Sequence, residues 1–132
     1  MTKLQVRDAF SDATFRETPS LLYMPHSTPI GGKTVVGEAR FVFNDQARLR
    51  AVALYFTNPG DQVCELIVGE FFSKYGTKFQ FQNSTIDARN VLRVWSWEFP
   101  SANVGLSINV APYPCSQLIA TYNGKAVPRK DF

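Results

Sequence analysis

One stretch of this chain has the spacing of an amphipathic helix. Its apolar residues recur at intervals of three and four positions: Cys64, Ile67, Val68, Phe71, Phe72 and Tyr75. That spacing places them on a single helix face. Asp61 suits the N-cap, Lys74 the negative C-terminal end, and Gly76 the residue after the last turn. The pattern predicts a helix from about 61 to 75 with Cys64 facing inward.

The remaining elements follow from shorter patterns. Leu4, Val6, Ala9 and Phe10, with Thr2 as N-cap, predict a short N-terminal helix. Segments rich in β-branched and aromatic residues, bounded by turn residues, predict strands. There are six of them: 20–24, 38–43, 49–56, 91–99, 104–110 and 117–122. Prolines and glycines predict a loop after residue 24.

The predicted order is helix, three strands, helix, three strands. Residues 6–11 and 68–73 share the pattern V-x-acid-x-F-S, which indicates a tandem αβββ repeat with halves 1–57 and 58–132. The alternative is two unrelated helices on one sheet. Because the separators between the last strands are short, we expect antiparallel neighbours. The prediction is one α+β domain spanning 1–132, with an antiparallel sheet packed on one face by two helices.

Composition and charge limit the classes of partner that are expected. The chain has 132 residues, 45% of them hydrophobic, and a formal net charge of +3. The best apolar run, 63–72, is interrupted by Glu65 and Glu70, so no membrane span is predicted. The fourteen Lys and Arg are scattered along the chain, which makes nucleic acid an unexpected partner.

The sequence predicts no metal, no cofactor and no catalytic residue. His26 is the single histidine, which excludes a multi-histidine metal site. Gly32-Lys33-Thr34 resembles the end of a phosphate loop, but Ser27 stands where that motif requires glycine. Whether the chain is an enzyme stays open, with a non-enzymatic role favoured.

The candidate binding residues are aromatic. Trp95, Trp97 and Phe99 share one strand face, where they serve either as core or as an exposed binding platform. Tyr113, between two prolines, is a further candidate.

The chain has two cysteines, Cys64 and Cys115, whose spacing alone does not decide whether they pair. A disulfide would close a loop of roughly 50 residues and add about 4 kcal/mol of stability in the chain-entropy model. It would also require an oxidising compartment.

The opening Met1-Thr2-Lys3-Leu4-Gln5-Val6, with Phe10, resembles the M-T-x-x-Q-V start of bacterial envelope domains of the β-lactamase-inhibitor-protein and SmpA/OmlA type. Those domains place a short helix before a β-meander, sometimes in tandem. The resemblance implies an exported bacterial domain that binds another protein or helps assemble the envelope, without catalysis, and from which a signal peptide has been removed.

Two functions are therefore expected. The first is a non-enzymatic exported protein, periplasmic or secreted, that binds another protein through the outward face of its sheet. The second is a small-ligand-binding or enzymatic domain with an apolar pocket between the sheet and the long helix. A cytoplasmic location is the alternative if the cysteines are free.

Overall fold

A computed structural model describes residues 1–30, 32–110 and 115–124. It contains two helices, α1 (Lys3–Ala9) and α2 (Asp61–Tyr75). The strands are β1 (Arg16–Thr18), β2 (Leu21–Ile30), β3 (Lys33–Phe43), β4 (Leu49–Thr57), β5 (Gln80–Asp87), β6 (Asn90–Glu98), β7 (Ala102–Asn109) and β8 (Gln117–Gly124). The prediction of α+β structure with a helix over 61–75 is confirmed.

All eight strands form one antiparallel sheet in the order β1-β2-β3-β4-β8-β7-β6-β5. Each helix is followed in the chain by four strands that pair in sequence. The last strands of the two groups, β4 and β8, pair with each other at the centre of the sheet. Sheet therefore dominates the architecture.

The predicted count of six strands is wrong because two strands, β1 and β5, were missed. Strand β5 was missed because its sequence, QFQNSTID, is mostly polar and has little of the composition typical of strands. Strand β2 continues to Ile30, through the predicted loop. Its prolines, Pro25 and Pro29, lie beyond the short stretch that pairs with β1, so they occupy an edge where a missing N–H is tolerated. The three-residue β1 was also missed.

The caps differ between the helices. At α1, the Thr2 hydroxyl accepts a hydrogen bond from the Gln5 amide at 3.3 Å, and the Gln5 side chain accepts one from the Thr2 amide at 2.8 Å. This reciprocal pair is a capping box. At α2 the predicted N-cap is wrong, because Gly60 is the N-cap and Asp61 is the first helical residue.

The core consists of two clusters that share Leu54. One surrounds Val6 of α1, and the other packs against the buried face of α2. Strand register shows how the sheet contributes to both, because directly paired residues point to the same face. One such row crosses seven strands: Met24, Ala39, Leu54, Ala120, Leu106, Trp95 and Phe81. Both clusters thus draw their strand residues from one face of the sheet.

Candidate functional site

Of the predicted aromatic residues, Trp95 and Trp97 lie in the core. Trp97 is 1% exposed, and its indole N–H donates to the Gly76 carbonyl at 3.0 Å. Trp95 is also buried, and Phe99 is half-buried against the ring of Tyr75. Tyr113 lies outside the described residues. Trp95 and Trp97 are therefore core residues and do not form an exposed binding platform.

The two cysteines are joined. Cys64 of α2 and Cys115 form a disulfide with their Cα atoms 6.7 Å apart, and both are buried. The Asp61 carboxylate accepts a hydrogen bond from the Cys115 amide at 2.7 Å. The first turn of α2 is therefore fixed to the segment that enters β8 by a covalent bond and a hydrogen bond.

The opposite face of the sheet carries a different set of side chains. A second row of paired residues crosses all eight strands: Arg16, Tyr23, Arg40, Ala53, Thr121, Gly105, Ser96 and Gln80. These residues alternate with the core row, so they point away from the two core clusters. We call this the outer face.

Five residues on the outer face form what we call the Tyr–Arg cluster: Arg16, Tyr23, Glu38, Arg40 and Tyr55. The guanidinium of Arg40 lies 5.3 Å from the centre of the Tyr23 ring and 4.0 Å from that of Tyr55. Both distances are within the range of cation–π attraction. Cross-strand pairing therefore stacks a cation between two aromatic rings.

Glu38 holds both arginine side chains of this cluster in place. One carboxylate oxygen accepts from Arg40 Nε at 2.7 Å, and the other accepts from Arg16 at 2.8 Å. The hydrogen bond from Arg40 to Glu38 is the main reason that the pKa of Arg40 is raised above its ordinary value. Two guanidinium groups share one carboxylate, so the cluster has a net positive charge.

Beside the Tyr–Arg cluster the outer face is hollow. A cavity of about 490 Å³ is lined in part by Ser96, Gly105 and Thr121, whose side chains are short or absent. Lys78, Gln80, Glu98, Asn103 and Asn123 give it polar walls. The outer face thus offers aromatic and cationic groups next to a polar depression.

A second cavity lies on the core side, between α2 and strands β6 and β7. It has a volume of about 630 Å³ and a largely apolar lining that includes Val68, Phe72 and Trp95. Its charged lining residues are Asp61, Glu65 and Arg93. We call this the α2 groove.

His26 and Tyr122 lie together at a small cavity on the core side of the sheet. His26 packs edge-on near the Phe56 ring, with the ring centres 6.3 Å apart, at a cavity of about 220 Å³ that also contacts Tyr75 and Tyr122. Burial, followed by interaction with Tyr75, raises the pKa of Tyr122 well above its usual range. Across the described residues there is no group of three metal-ligating side chains. No described helix is long and apolar enough to cross a membrane.

No known protein family, characterised protein or solved structure matches this chain. The Tyr–Arg cluster was missed by sequence reasoning, although Arg40 stood between Ala39 and Phe41 in a predicted strand. That alternation would have placed Arg40 on the outer face, but not beside Tyr23.

Proposed function

We propose that this protein is a non-enzymatic binding module that holds another protein against its outer face. In this proposal both helices cover the other face, which is supported by the register: the strand residues packed with α1 and with α2 belong to the same side of the sheet. Among the described residues, no helix then covers the outer face.

The Tyr–Arg cluster is the observation that carries the proposal. Tyrosine and arginine are, with tryptophan, enriched at the energetic centres of protein interfaces. Here their geometry is set in advance by Glu38 and by stacking, so little side-chain entropy would be lost on binding. The adjacent depression has the size to accept a side chain of a partner.

The charge of the cluster indicates the chemistry of that partner. Arg16 and Arg40 carry two positive charges against the one negative charge of Glu38. The Arg16 side chain is 74% exposed, so its guanidinium can receive a second carboxylate. We infer a protein partner that presents an acidic side chain to this cluster.

The disulfide supports an oxidising compartment. Disulfides persist in the periplasm and outside the cell and are rare in the cytosol, and this one is buried between α2 and β8. We therefore propose an exported, periplasmic or secreted protein, as the envelope-domain resemblance implies. Titration of denatured protein prepared without reductant should find no free thiol, whereas two free thiols would contradict export.

Affinity capture with matched variants tests the proposed interface. Immobilised wild-type protein is incubated with an envelope extract of the source cells, beside Arg40→Ala and Arg89→Ala. Arg89 lies in the exposed β5–β6 turn, so its variant loses the same charge far from the cluster. We expect Arg40→Ala to weaken retention of a specific protein roughly tenfold or more, and Arg89→Ala to leave it unchanged. Equal retention by both variants would contradict the proposal.

The α2 groove supports a second candidate function, the binding of a small apolar ligand. Its volume lies in the ordinary range for ligand pockets, and its lining is largely apolar, with Asp61, Glu65 and Arg93 as its charged residues. A neutral aromatic dye, Nile red, is a suitable probe. This function predicts saturable binding of the dye that Val68→Trp blocks; binding unaffected by that change would exclude it.

A further inference from the structure

Strand β5 is an open edge of the sheet. It pairs with β6 on one side, and on its other side no strand among residues 1–30, 32–110 and 115–124 pairs with it. Alternate residues of such an edge direct unpaired N–H and C=O groups outward, which makes the edge a template for another strand. At eight residues, Gln80–Asp87, β5 is long enough for stable pairing.

The opposite edge is protected in ways that β5 is not. Strand β1 has three residues, and the Lys3 ammonium donates to the carbonyl oxygens of Thr18 and Pro19 at 2.8 and 2.9 Å. Arg16 and Glu17 add charge there. Natural sheets use short, charged edges to prevent pairing with other chains.

Residues 80–86 include neither a charged residue nor a proline. Two large apolar side chains of this segment are exposed: Phe81 by 50% and Ile86 by 66%. An uncharged segment can lie beside an identical segment without repulsion between like charges. The composition of β5 therefore fits pairing with itself.

Symmetry limits how two copies could meet. A two-fold axis perpendicular to the sheet makes the two β5 strands antiparallel and keeps the same face of each copy on the same side. Directly opposed residues must then share a face. With the axis at Gln82, Gln80 lies opposite Ser84 of the partner subunit, and Phe81 lies opposite Asn83 of the partner subunit.

Apolar contact favours that register. In antiparallel strands a residue also reaches the diagonal neighbour two positions from its direct partner, at a separation that aromatic side chains can span. The diagonal neighbour of Phe81 is then Phe81 of the partner subunit. Pairing would bury the exposed half of both rings, each of which already packs on its own Trp95 with ring centres 5.2 Å apart.

Charge favours the same register. Thr85 pairs with Val91 and Asp87 pairs with Asn90, so Ile86 is the extra residue of a β-bulge. When that extra residue is counted, Lys78 falls opposite Asp87 of the partner subunit at each end of the paired region. The Asp87 carboxylate accepts from the Arg89 amide and the Asn90 side chain and has lone pairs left for a lysine.

We propose that this protein forms a homodimer in which β5 pairs antiparallel with β5 of a second copy, about a two-fold axis at Gln82. The two eight-stranded sheets become one continuous sheet. Both outer faces then lie on the same side, each with its own Tyr–Arg cluster. The dimer follows from the β5 edge alone and does not depend on the proposed function.

Charge substitutions at the symmetry axis test this dimer. Gln82 is exposed, so Gln82→Lys and Gln82→Glu should fold normally, and either one would place like charges directly opposite each other. We expect each to raise the dimer dissociation constant by roughly fivefold or more in sedimentation equilibrium. An equimolar mixture should restore association, because the introduced lysine of one subunit would then meet the introduced glutamate of the other. Gln46→Lys, in the β3–β4 turn, is the control and should dimerise like the wild type.

Three outcomes would overturn the proposal. The first is a wild-type chain that sediments as a 14.8 kDa monomer at every concentration. The second is a dimer that neither single charge weakens, since such a dimer would use another surface. The third is a mixture of the two charged variants that associates no better than either one alone.

Discussion

At the scale of single residues, Gly37 shows how the core constrains one position in β3. A Cβ atom there would overlap the Tyr55 carbonyl oxygen and the Phe56 ring. The absent side chain lets the Phe56 ring lie across β3 towards His26. This requirement comes from packing between strands and has no trace in the local sequence.

Gly37→Ala should lower the free energy of unfolding by about 1–3 kcal/mol, the usual cost of overpacking. Gly105→Ala is the matched control on the outer face, because the added methyl group would meet the Thr121 side chain and no backbone atom. Since Thr121 can rotate away, we expect a smaller loss. Urea unfolding of both variants measures the difference, and equal losses would contradict this account of the fit.

Tyr122 should make stability depend on alkaline pH. Its pKa is raised in the folded state, first by burial and then by Tyr75, whereas an unfolded tyrosine ionises near pH 10. The folded state therefore retains a proton that the unfolded state loses, so the stabilising effect is complete below about pH 10 and declines as pH rises above it. Urea unfolding between pH 9 and 11 should show that the free energy of unfolding falls less steeply with pH in Tyr122→Phe than in the wild type. An equally steep fall in both proteins would contradict the assignment of this effect to Tyr122.

At the scale of elements, the sequence predicts those helices and strands whose stability comes from interactions within their own segment. Helix α2 was predicted with its observed bounds because its apolar stripe lies within fifteen consecutive residues. Strand β5 escaped prediction because it is stabilised by hydrogen bonds to β6, not by its own composition. The Tyr–Arg cluster escaped it because Tyr23, Arg40 and Tyr55 meet only through the register of three strands.

The disulfide should be a major source of stability for α2. It joins residues 51 positions apart, so replacing both cysteines by alanine should lower the free energy of unfolding by about 2–5 kcal/mol. Cys64 and Cys115 must be changed together, so that no free thiol remains. Urea unfolding of the double variant and of oxidised wild type gives the comparison, and unchanged stability would contradict a structural role for the bond.

At the scale of the whole molecule, the proposed function depends on the order in which the strands pair. Two groups, each a helix followed by four strands, meet at β4 and β8. On the basis of this order we propose that halves 1–57 and 58–132 are a tandem repeat, each with one helix and four strands. Sequence could not predict the meeting of β4 and β8, because the two strands are separated by a helix and three other strands.

Site-specific photo-crosslinking in the source cells tests the central claim, binding at the outer face, most directly. A benzoylphenylalanine replaces Val36, which is 69% exposed on the outer face two residues before Glu38, or, as control, Leu66, which is 41% exposed on α2. Binding at the outer face predicts that position 36 crosslinks to a partner protein and that position 66 does not. A partner crosslinked from position 66 alone would contradict it and place binding on the helical side.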